Sequence, residues 1–266
     1  MTTLLLQPGI GLGEPPAGCA TGGSSDSGFV HSWDISTGVD GPGTRFVTFL
    51  SGCPLRCLYC QNPDTWLRGN GTLQSVDAMV AEAAKYVPFI RASGGGATIS
   101  GGEPLQQPDF ATGLLRGFRG LGLPTALDTS GYLGRLASDE LLAATDLVLL
   151  DIKAGQPGTY SRLTSRELAP TLEFAERLAE MNKPVWLRYV LVPGLTDAPE
   201  EVCEVARFAG TLGNVERVDV LPFHTLGRAK WEALGRRFVL ADTPAPTAEQ
   251  VSRARQEFES HGLVTY

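Results

Sequence analysis

The sequence predicts an α/β fold built on a sheet of parallel strands. About six short apolar segments alternate with segments of helical periodicity, and repeated strand–helix units of this kind make successive strands parallel. The strands are apolar at successive positions, which is typical of strands covered on both faces. The residues best suited to chemistry follow the ends of these strands, where parallel α/β folds place their active sites.

The predicted elements follow from apolar runs and from apolar residues that recur every three or four positions. Ser75, for example, is expected to cap a helix in which Met79 and Ala83 lie on the buried face. The predicted strands span residues 45–50, 97–100, 125–128, 147–151, 185–192 and 215–221. The predicted helices span residues 76–86, 110–121, 140–144, 168–181, 200–212 and 249–260.

Length and composition favour one large domain. The chain has 266 residues, which is enough to bury a sizeable core. Residues 29–266 are expected to form this domain. Residues 1–28 are rich in Gly, Pro, Ser and Thr and are expected to be a disordered N-terminal tail, because they have little apolar surface to bury.

Charge and hydropathy argue against several functions. The net charge is −7, from 22 basic and 29 acidic residues, which disfavours a nucleic-acid-binding protein with a general basic surface. The apolar runs are shorter than the about 18 residues of a membrane span. Residues 4–6 are three leucines, too short a run for a signal peptide. We therefore expect a cytoplasmic protein, with no membrane contact and with reduced thiols.

Three of the five cysteines lie close together, at Cys53, Cys57 and Cys60, with the spacing C-x3-C-x2-C. Three thiolates on one tight loop suit an iron–sulfur cluster or zinc. A closed site of either kind uses four protein ligands, and neither Cys19 nor Cys203 is well placed to be the fourth. One metal position is therefore expected to be left for a ligand that is not protein.

Other interpretations of the three cysteines remain open from the residues alone. They could be core thiols, although buried cysteines need no fixed spacing. They could also form a zinc site that His31 or His224 completes. A disulfide is disfavoured, because the number of cysteines is odd and cytosolic thiols stay reduced.

The stretch Cys53-Pro54-Leu55-Arg56-Cys57-Leu58-Tyr59-Cys60 resembles the cluster loop of the radical S-adenosylmethionine (SAM) superfamily, C-x3-C-x-(aromatic)-C. From about residue 29 onwards, the chain is similar to the glycyl-radical-enzyme activases, most of all to the group that acts on pyruvate formate-lyase. No further cysteine lies between Cys60 and Glu103, unlike in activases of the glycerol-dehydratase type. The other similar segments are His31-Ser32, Gly38-Val39-Asp40-Gly41-Pro42-Gly43-Thr44-Arg45-Phe46 and Gln61-Asn62-Pro63-Asp64-Thr65-Trp66.

The resemblance implies a partial (β/α)6 barrel of parallel strands and a radical SAM oxidoreductase. Cys53, Cys57 and Cys60 would bind three irons of a [4Fe–4S] cluster, and SAM would bind the fourth. One electron from the cluster would cleave SAM, and the 5′-deoxyadenosyl radical would remove hydrogen from a glycine of pyruvate formate-lyase. The implied partners are this glycyl radical enzyme and a flavodoxin- or ferredoxin-type reductant, and the activase is expected to be a monomer.

The resemblance also places cofactor-binding residues at the strand ends. Glycines at positions 101 and 102 let backbone approach a ligand closely, and Glu103 would add charge near the SAM ammonium group; a simple tight turn is the alternative. A monovalent cation would be bound by Asp128, Thr129, Asp151 and the Leu149 carbonyl, with general acid–base chemistry as the alternative for the carboxylates. The expected cofactor-binding residues are Tyr59, Cys60, Gln61, Gly101, Gly102, Glu103, Asp128, Thr129, Asp151, Ile152, Lys153, Arg188 and His224.

Several of these side chains have a structural alternative. Arg188 interrupts an apolar strand and needs an anionic partner, either a ligand carboxylate or a structural salt bridge. Lys153 could bind the ligand or be solvated, and Tyr59 could cover the adenine or pack beneath the loop. His31 is expected to cap local structure, and Cys203 is expected to lie in the core.

Two other functions remain open from the sequence. A radical SAM enzyme could act on a small molecule or on another glycyl radical enzyme. An iron–sulfur or zinc module for electron transfer or sensing belongs to a different class, and it would need no SAM pocket.

Overall fold

An eight-stranded sheet carries the fold of residues 26–266, the part of the chain that the computed structural model describes. The strands are β1 (Ser27–Thr37), β2 (Thr44–Leu50), β3 (Thr72–Ser75), β4 (Gly96–Gly101), β5 (Thr125–Thr129), β6 (Leu147–Asp151), β7 (Val185–Leu191) and β8 (Val215–Pro222). Their order is β3-β1-β2-β4-β5-β6-β7-β8, so β3 and β8 are edges and the sheet does not close. Neighbours from β2 onwards pair in parallel, which confirms the predicted partial barrel.

The six predicted strands agree with the observed ones to within one residue at each end. Their apolar runs are buried because the sheet is covered on both faces. Strands β1 and β3 were not predicted. Strand β1 pairs antiparallel with β2 on one side and with β3 on the other. Because β1 exposes several polar residues, its apolar pattern is weak.

Strand β1 begins at Ser27, two residues before the expected start of the domain at residue 29. The rest of the predicted tail, residues 1–25 with Cys19, lies outside the described residues.

Nine helices accompany the strands within residues 26–266. They are α1 (Val76–Ala84), α2 (Val87–Ala92), α3 (Pro108–Gly120), α4 (Asp139–Ala143), α5 (Pro157–Thr164), α6 (Ala169–Glu180), α7 (Pro199–Gly210), α8 (Arg228–Ala233) and α9 (Ala248–Ser260). Helices α2, α5 and α8 were not predicted, because each has at most eight residues and too few turns to show a periodic apolar face. None of the helices is long and apolar enough to cross a membrane.

The two faces of the sheet have different environments. Alternate residues of β7, such as Leu187 and Tyr189, belong to the main core beneath the helices. The residues between them, Arg188 and Val190, line a cavity on the concave face. Because side chains alternate across a strand, the charge that interrupts the apolar sequence of β7 faces the cavity. It does not enter the main core.

Aromatic contacts stabilise the convex side of the sheet. The ring of Phe46 on β2 lies 5.8 Å from that of Phe118 on α3, and Tyr189 on β7 lies 5.8 Å from Phe258 on α9. All four side chains are almost fully buried. Each such burial contributes about 1.5–3 kcal/mol of transfer free energy, which holds the strand ends in fixed positions around the cavity.

Candidate active site

The C-terminal ends of the parallel strands surround a cavity of about 320 Å³. This volume is within the range of about 300–1,000 Å³ that is usual for small-molecule sites. Thirteen of the expected site residues line it: Cys53, Cys57, Tyr59, Cys60, Gln61, Gly101, Gly102, Asp128, Thr129, Asp151, Lys153, Arg188 and His224. Expected residues that do not line it are Glu103, Leu149 and Ile152. Other lining residues, which the sequence did not single out, include Asp40, Phe49, Asn62, Ser100, Ser130 and Phe223.

The cysteine loop is held by backbone hydrogen bonds to distant segments. The amides of Arg56 and Leu58 donate to the carbonyls of Thr164 and Leu163, at 2.7 and 3.0 Å, at the end of α5. The Cys53 amide donates to the carbonyl of Trp66 at 3.1 Å. These bonds fix the backbone of the loop, so the three thiols are positioned before any ligand binds.

Cys57 is buried, and Cys53 and Cys60 are half-buried. Burial raises the pKa of Cys57 to about 12, in spite of the nearby charge of Lys153. Burial likewise raises the pKa of Cys53 and of Cys60. The thiolate forms therefore need added positive charge, which a bound metal centre supplies.

The three loop thiols do not form a compact set of ligand atoms in this structure. A Zn–S distance of about 2.3 Å places the thiolates of a tetrahedral site about 3.8 Å apart. Among the described residues, Cys203, Glu257 and His261 have three potential ligand atoms within 4.8 Å of one another, whereas the loop cysteines do not form such a group. His31 pairs with Asp64 at 3.1 Å, so it does not complete the thiol site.

Tyr59 and Lys153 form one wall of the cavity. Tyr59 is 6 % exposed, and its hydroxyl has no hydrogen-bond partner within residues 26–266. The Lys153 ammonium lies 5.7 Å from the centre of the Tyr59 ring and 3.0 Å from Asp151. An unpaired buried hydroxyl costs about 1–3 kcal/mol, which a ligand in the cavity can recover.

Arg188 lies between the two carboxylates at the ends of β5 and β6. Its guanidinium contacts Asp128, and its Nε donates to Asp151 at 3.1 Å. Burial favours a raised pKa for Asp151, but Arg188 and Lys153 outweigh burial and lower it. Burial raises the pKa of Asp128, against the opposite effect of Arg188. The expected anionic partner of Arg188 is thus protein, in a structural ion pair that also borders the cavity.

Comparison with known proteins identifies the family. The model of the radical SAM superfamily matches residues 47–209. The chain is 43% identical over 241 residues to the pyruvate formate-lyase-activating enzyme of Listeria monocytogenes, covering 88% of this chain and 96% of that one. It is 41% identical over 237 residues to the pyruvate formate-lyase 1-activating enzyme of Escherichia coli, with the same coverage. The chain belongs to the pyruvate formate-lyase-activating enzymes of the radical SAM superfamily.

Solved structures of radical SAM proteins share the fold. A domain of a pyruvate formate-lyase-activating enzyme from Bacteroides vulgatus superimposes with a TM-score of 0.55 at 24% identity, covering 65% of this chain and 98% of that one. A radical SAM methyltransferase from Sphaerobacter thermophilus gives a TM-score of 0.62 at 19% identity, covering 87% of this chain and 71% of that one. These similarities concern the fold alone.

Radical SAM enzymes hold a [4Fe–4S] cluster and SAM, and the residues of this site fit both groups. Soft sulfur donors on a fixed loop suit iron. Beside the loop lies a cavity lined by Tyr59 and by the cation Lys153. At Gly102 an added Cβ would lie 2.3 Å from the Gly52 carbonyl oxygen, so glycine is required where this strand end meets the loop.

Glu103 differs from its expected role in the radical SAM site. Its side chain is 1 % exposed and accepts hydrogen bonds from Thr129, from the amide of Leu105, and from the amide and hydroxyl of Ser130. The carboxylate is therefore enclosed by protein donors and does not face the cavity. It joins the end of β4 to the end of β5. The negative charge that was expected near the SAM ammonium group therefore does not line the cavity. Periodicity could not show this, because the donors lie 26 and 27 residues away.

Two other expected residues do not line the cavity. Leu149 and Ile152 are each 1 % exposed. Leu149 lies on the face of β6 that carries Asp151, in a small apolar cluster with Ala126 and Leu147, so the expected cation contact of its backbone carbonyl stays a prediction. The Ile152 side chain is part of the main core, away from the expected ligand.

An aromatic cluster around the cysteine loop was missed from the sequence. Trp231 on α8 donates from its indole to the Cys60 carbonyl at 2.8 Å, and its ring lies 5.0 Å from that of Trp66 in an edge-to-face contact. Phe238 packs on Trp231 at 5.5 Å. The available signal was the presence of Trp and Phe in the polar segment 225–247. These rings exclude water from the back of the loop.

Gln61 links the same loop to the segment after β8. Its amide nitrogen donates to the carbonyls of Tyr59 and His224, both at 3.0 Å, and its amide oxygen accepts from Gly227 at 2.7 Å. The Gln61 side chain therefore holds the loop against the segment after β8, and its expected contact with a ligand stays a prediction. His224 is exposed and lies at the mouth of the cavity.

Proposed function

We propose that the chain activates pyruvate formate-lyase, with Cys53, Cys57 and Cys60 holding a [4Fe–4S] cluster and the adjacent cavity holding SAM. When bound, these cofactors supply one-electron cleavage of SAM to methionine and a 5′-deoxyadenosyl radical, which removes hydrogen from a glycine Cα. The observation that carries the proposal is a trio of buried and half-buried thiols with no fourth cysteine beside them in residues 26–266. Within the described residues the remaining cysteine, Cys203, lies beside Glu257 on another face of the fold.

The proposed SAM contacts follow from the lining of the cavity. The backbones of Gly101 and Gly102 accept hydrogen bonds from the ligand ammonium, because glycine allows close approach. Lys153 pairs with the ligand carboxylate, and His224 bonds the ribose or adenine edge at the mouth. Tyr59 donates its free hydroxyl. The chain's own task is to bind, orient and keep water away from the reacting atoms.

A monovalent cation beside Asp128, Thr129, Asp151 and the Leu149 carbonyl is a separate part of the proposal. Each carboxylate accepts about four hydrogen bonds or metal contacts, so both can bind a cation in addition to Arg188. The dissociation constant of SAM, measured in potassium chloride and in sodium chloride, tests this cation site. Choline chloride is the control for ionic strength. An affinity that is equal in all three salts would leave Arg188 as the counter-ion.

The protein substrate is a loop that carries the target glycine. The cavity opens at exposed residues such as His224. The apolar Leu226, two residues further along the chain, is 83 % exposed. A glycine has no side chain to obstruct the approach, so an extended segment can enter where a folded one cannot. An interface of this kind is small and transient.

The decisive experiment mixes the anaerobically reduced, cluster-loaded chain and SAM with pyruvate formate-lyase and measures the glycyl radical by electron paramagnetic resonance. We expect a radical signal with the wild-type chain and none with Cys57→Ser. Cys203→Ser is the matched control and should activate normally. SAM cleavage without a glycyl radical would favour a small-molecule substrate. Absence of SAM binding would favour an electron-transfer module.

We also propose that an acidic, flavodoxin- or ferredoxin-type protein supplies the electron. Three arginines, Arg56, Arg166 and Arg236, lie together beside the cysteine loop. The guanidinium groups of Arg56 and Arg236 lie 4.9 and 5.4 Å from the centre of the Trp66 ring. Arg166 is close enough for its charge to repel that of Arg56. This positive group stands out in a chain of net charge −7 and suits an acidic donor.

The docking surface can be tested by charge reversal. Arg236→Glu should slow reduction by flavodoxin about tenfold at low salt, while reduction by dithionite stays unchanged. Arg253→Glu, an exposed arginine on α9, is the control. Equal slowing by both variants would refute the docking surface.

The chain is proposed to act as a monomer. Among residues 26–266, the large exposed apolar side chains are spread along the chain, from Trp33 on β1 through Leu73 and Leu226 to Tyr266. Sedimentation at micromolar concentration should show one 28.3 kDa species. The reduced thiols that the site needs support a cytoplasmic location.

A further inference from the structure

Three potential metal ligands meet on a face of the fold that the proposed reaction does not use. The sulfur of Cys203, a carboxylate oxygen of Glu257 and a ring nitrogen of His261 all lie within 4.8 Å of one another. None of the three lines the cavity at the strand ends. From its helical position Cys203 was expected to lie in the core, but it is half-exposed and faces Glu257.

The three residues are carried by well-anchored elements. Cys203 is on α7, and Glu257 is on α9 with His261 one turn further along the chain. The two helices are joined by buried apolar contacts of the main core, which includes Val202 on α7 and Ala254 on α9. Residues four apart lie on the same face of a helix, so α9 presents both of its groups towards α7.

The His261 ring is already oriented. Its Nδ1 lies 3.0 Å from the carbonyl oxygen of Glu257, 3.1 Å from the hydroxyl of Ser260 and 3.7 Å from a carboxylate oxygen of Glu257. These contacts hold the ring beside the Glu257 carboxylate. The half-exposed position also gives an ion a path from solvent.

The ligand chemistry selects the class of metal. Calcium and magnesium prefer sets made of oxygen alone. One thiolate, one imidazole and one carboxylate suit a borderline divalent ion, above all zinc, which takes these three donors in tetrahedral sites. Three protein ligands leave a fourth position for water.

We propose that Cys203, Glu257 and His261 form a second metal site, which binds one zinc ion and joins the end of α9 to α7. The segment after α9 returns to the sheet, where Thr265 bridges to Val218 of β8. Zinc would therefore secure the C-terminal segment on the fold. Binding to the folded chain alone raises its stability by mass action.

Zinc content tests the proposal in the full chain with its cluster loaded. The anaerobic holoenzyme is equilibrated with micromolar zinc, desalted and analysed for zinc and iron by mass spectrometry. We expect one zinc per chain in the wild type and about a tenfold loss in Cys203→Ser and in His261→Gln, with iron unchanged. Cys19→Ser is the matched cysteine control and should keep its zinc. Equal zinc in the wild type and both site variants would overturn the proposal.

X-ray absorption at the zinc edge separates this site from zinc bound at the cluster loop. The proposed site gives one sulfur at about 2.3 Å and nitrogen or oxygen neighbours at about 2.0–2.2 Å. Three sulfur neighbours would show that zinc had entered the cysteine loop, which would also refute the proposal. The melting temperature of the holoenzyme should rise by about 5 °C with zinc at a hundredfold excess over its dissociation constant. This shift should be absent in Glu257→Gln.

Discussion

Removing the guanidinium of Arg188 should destabilise the strand ends strongly. Arg188→Met keeps an unbranched apolar stem but leaves Asp128 without its cation and Asp151 with Lys153 alone. The side chains of Arg188 and Asp128 are 13 % and 10 % exposed, so water replaces the lost ion pair poorly. Breaking a buried pair costs about 3–5 kcal/mol. Because the two side chains keep some exposure to water, we expect the lower end of this range, a loss of about 3 kcal/mol in the free energy of unfolding.

The loss should depend on pH in a defined direction. In the variant, burial and repulsion by Asp151 raise the folded-state pKa of Asp128 further above the unfolded value of about 3.9, because Arg188 no longer lowers it. The folded variant then binds more protons than the unfolded chain, so its stability increases as pH falls through the raised pKa. The deficit relative to the wild type should therefore be smaller at pH 5.5 than at pH 8.

Guanidinium unfolding of the cluster-free chains, followed by tryptophan fluorescence, measures both effects. Arg207→Met is the control, because Arg207 pairs with Glu204 on the surface, and it should leave the stability almost unchanged. Adding Asp128→Asn to Arg188→Met should recover part of the loss. A deficit below about 1 kcal/mol that does not vary with pH would refute the interpretation of this ion pair.

Three further predictions concern the cysteine loop and the cavity. In Gly227→Ala, the added Cβ would lie 2.8 Å from the Gln61 backbone, so we expect about 1–3 kcal/mol of destabilisation and fewer irons per chain. Gly158→Ala is the control, because its Cβ meets no atom within 4 Å. An equal iron content in the two variants would contradict the close approach of Gly227 to Gln61. Tyr59→Phe removes a buried unpaired hydroxyl, so calorimetry should show equal or slightly higher stability while the dissociation constant of SAM rises about fivefold; a drop in stability would mean that the hydroxyl has a protein partner. Lys153→Ala should raise the same dissociation constant about tenfold, measured by anaerobic equilibrium dialysis, and an unchanged value would assign Lys153 to Asp151 alone.

The strands and the cysteine loop were predictable because their signals are local. Apolar runs such as those of β6 and β7 mark buried strands whatever surrounds them. The parallel arrangement then brings strand ends together, which is why Asp128, Asp151 and Lys153 were predicted at one site and lie around one cavity.

Side-chain direction was less predictable. Glu103 follows a strand end, as expected, but its carboxylate is turned into a set of protein donors on β5. Arg188 was expected to need an anion, and which anion depended on the pairing of β6 with β7. Gln61 and Trp231 contact each other's segments across more than 160 residues, a relationship without a local signal.

The sequence by itself determined the α/β class, the positions of the parallel strands along the chain and the trio of thiols. Each of these features depends on residues that are neighbours in the sequence. Tertiary structure alone decided which charges pair, which side chains face the cavity and which helices cover the loop. It also brought Cys203 to Glu257 and His261. The reason is physical: periodicity reports the face of an element that is buried, whereas partners are chosen by packing between elements that are distant in the chain.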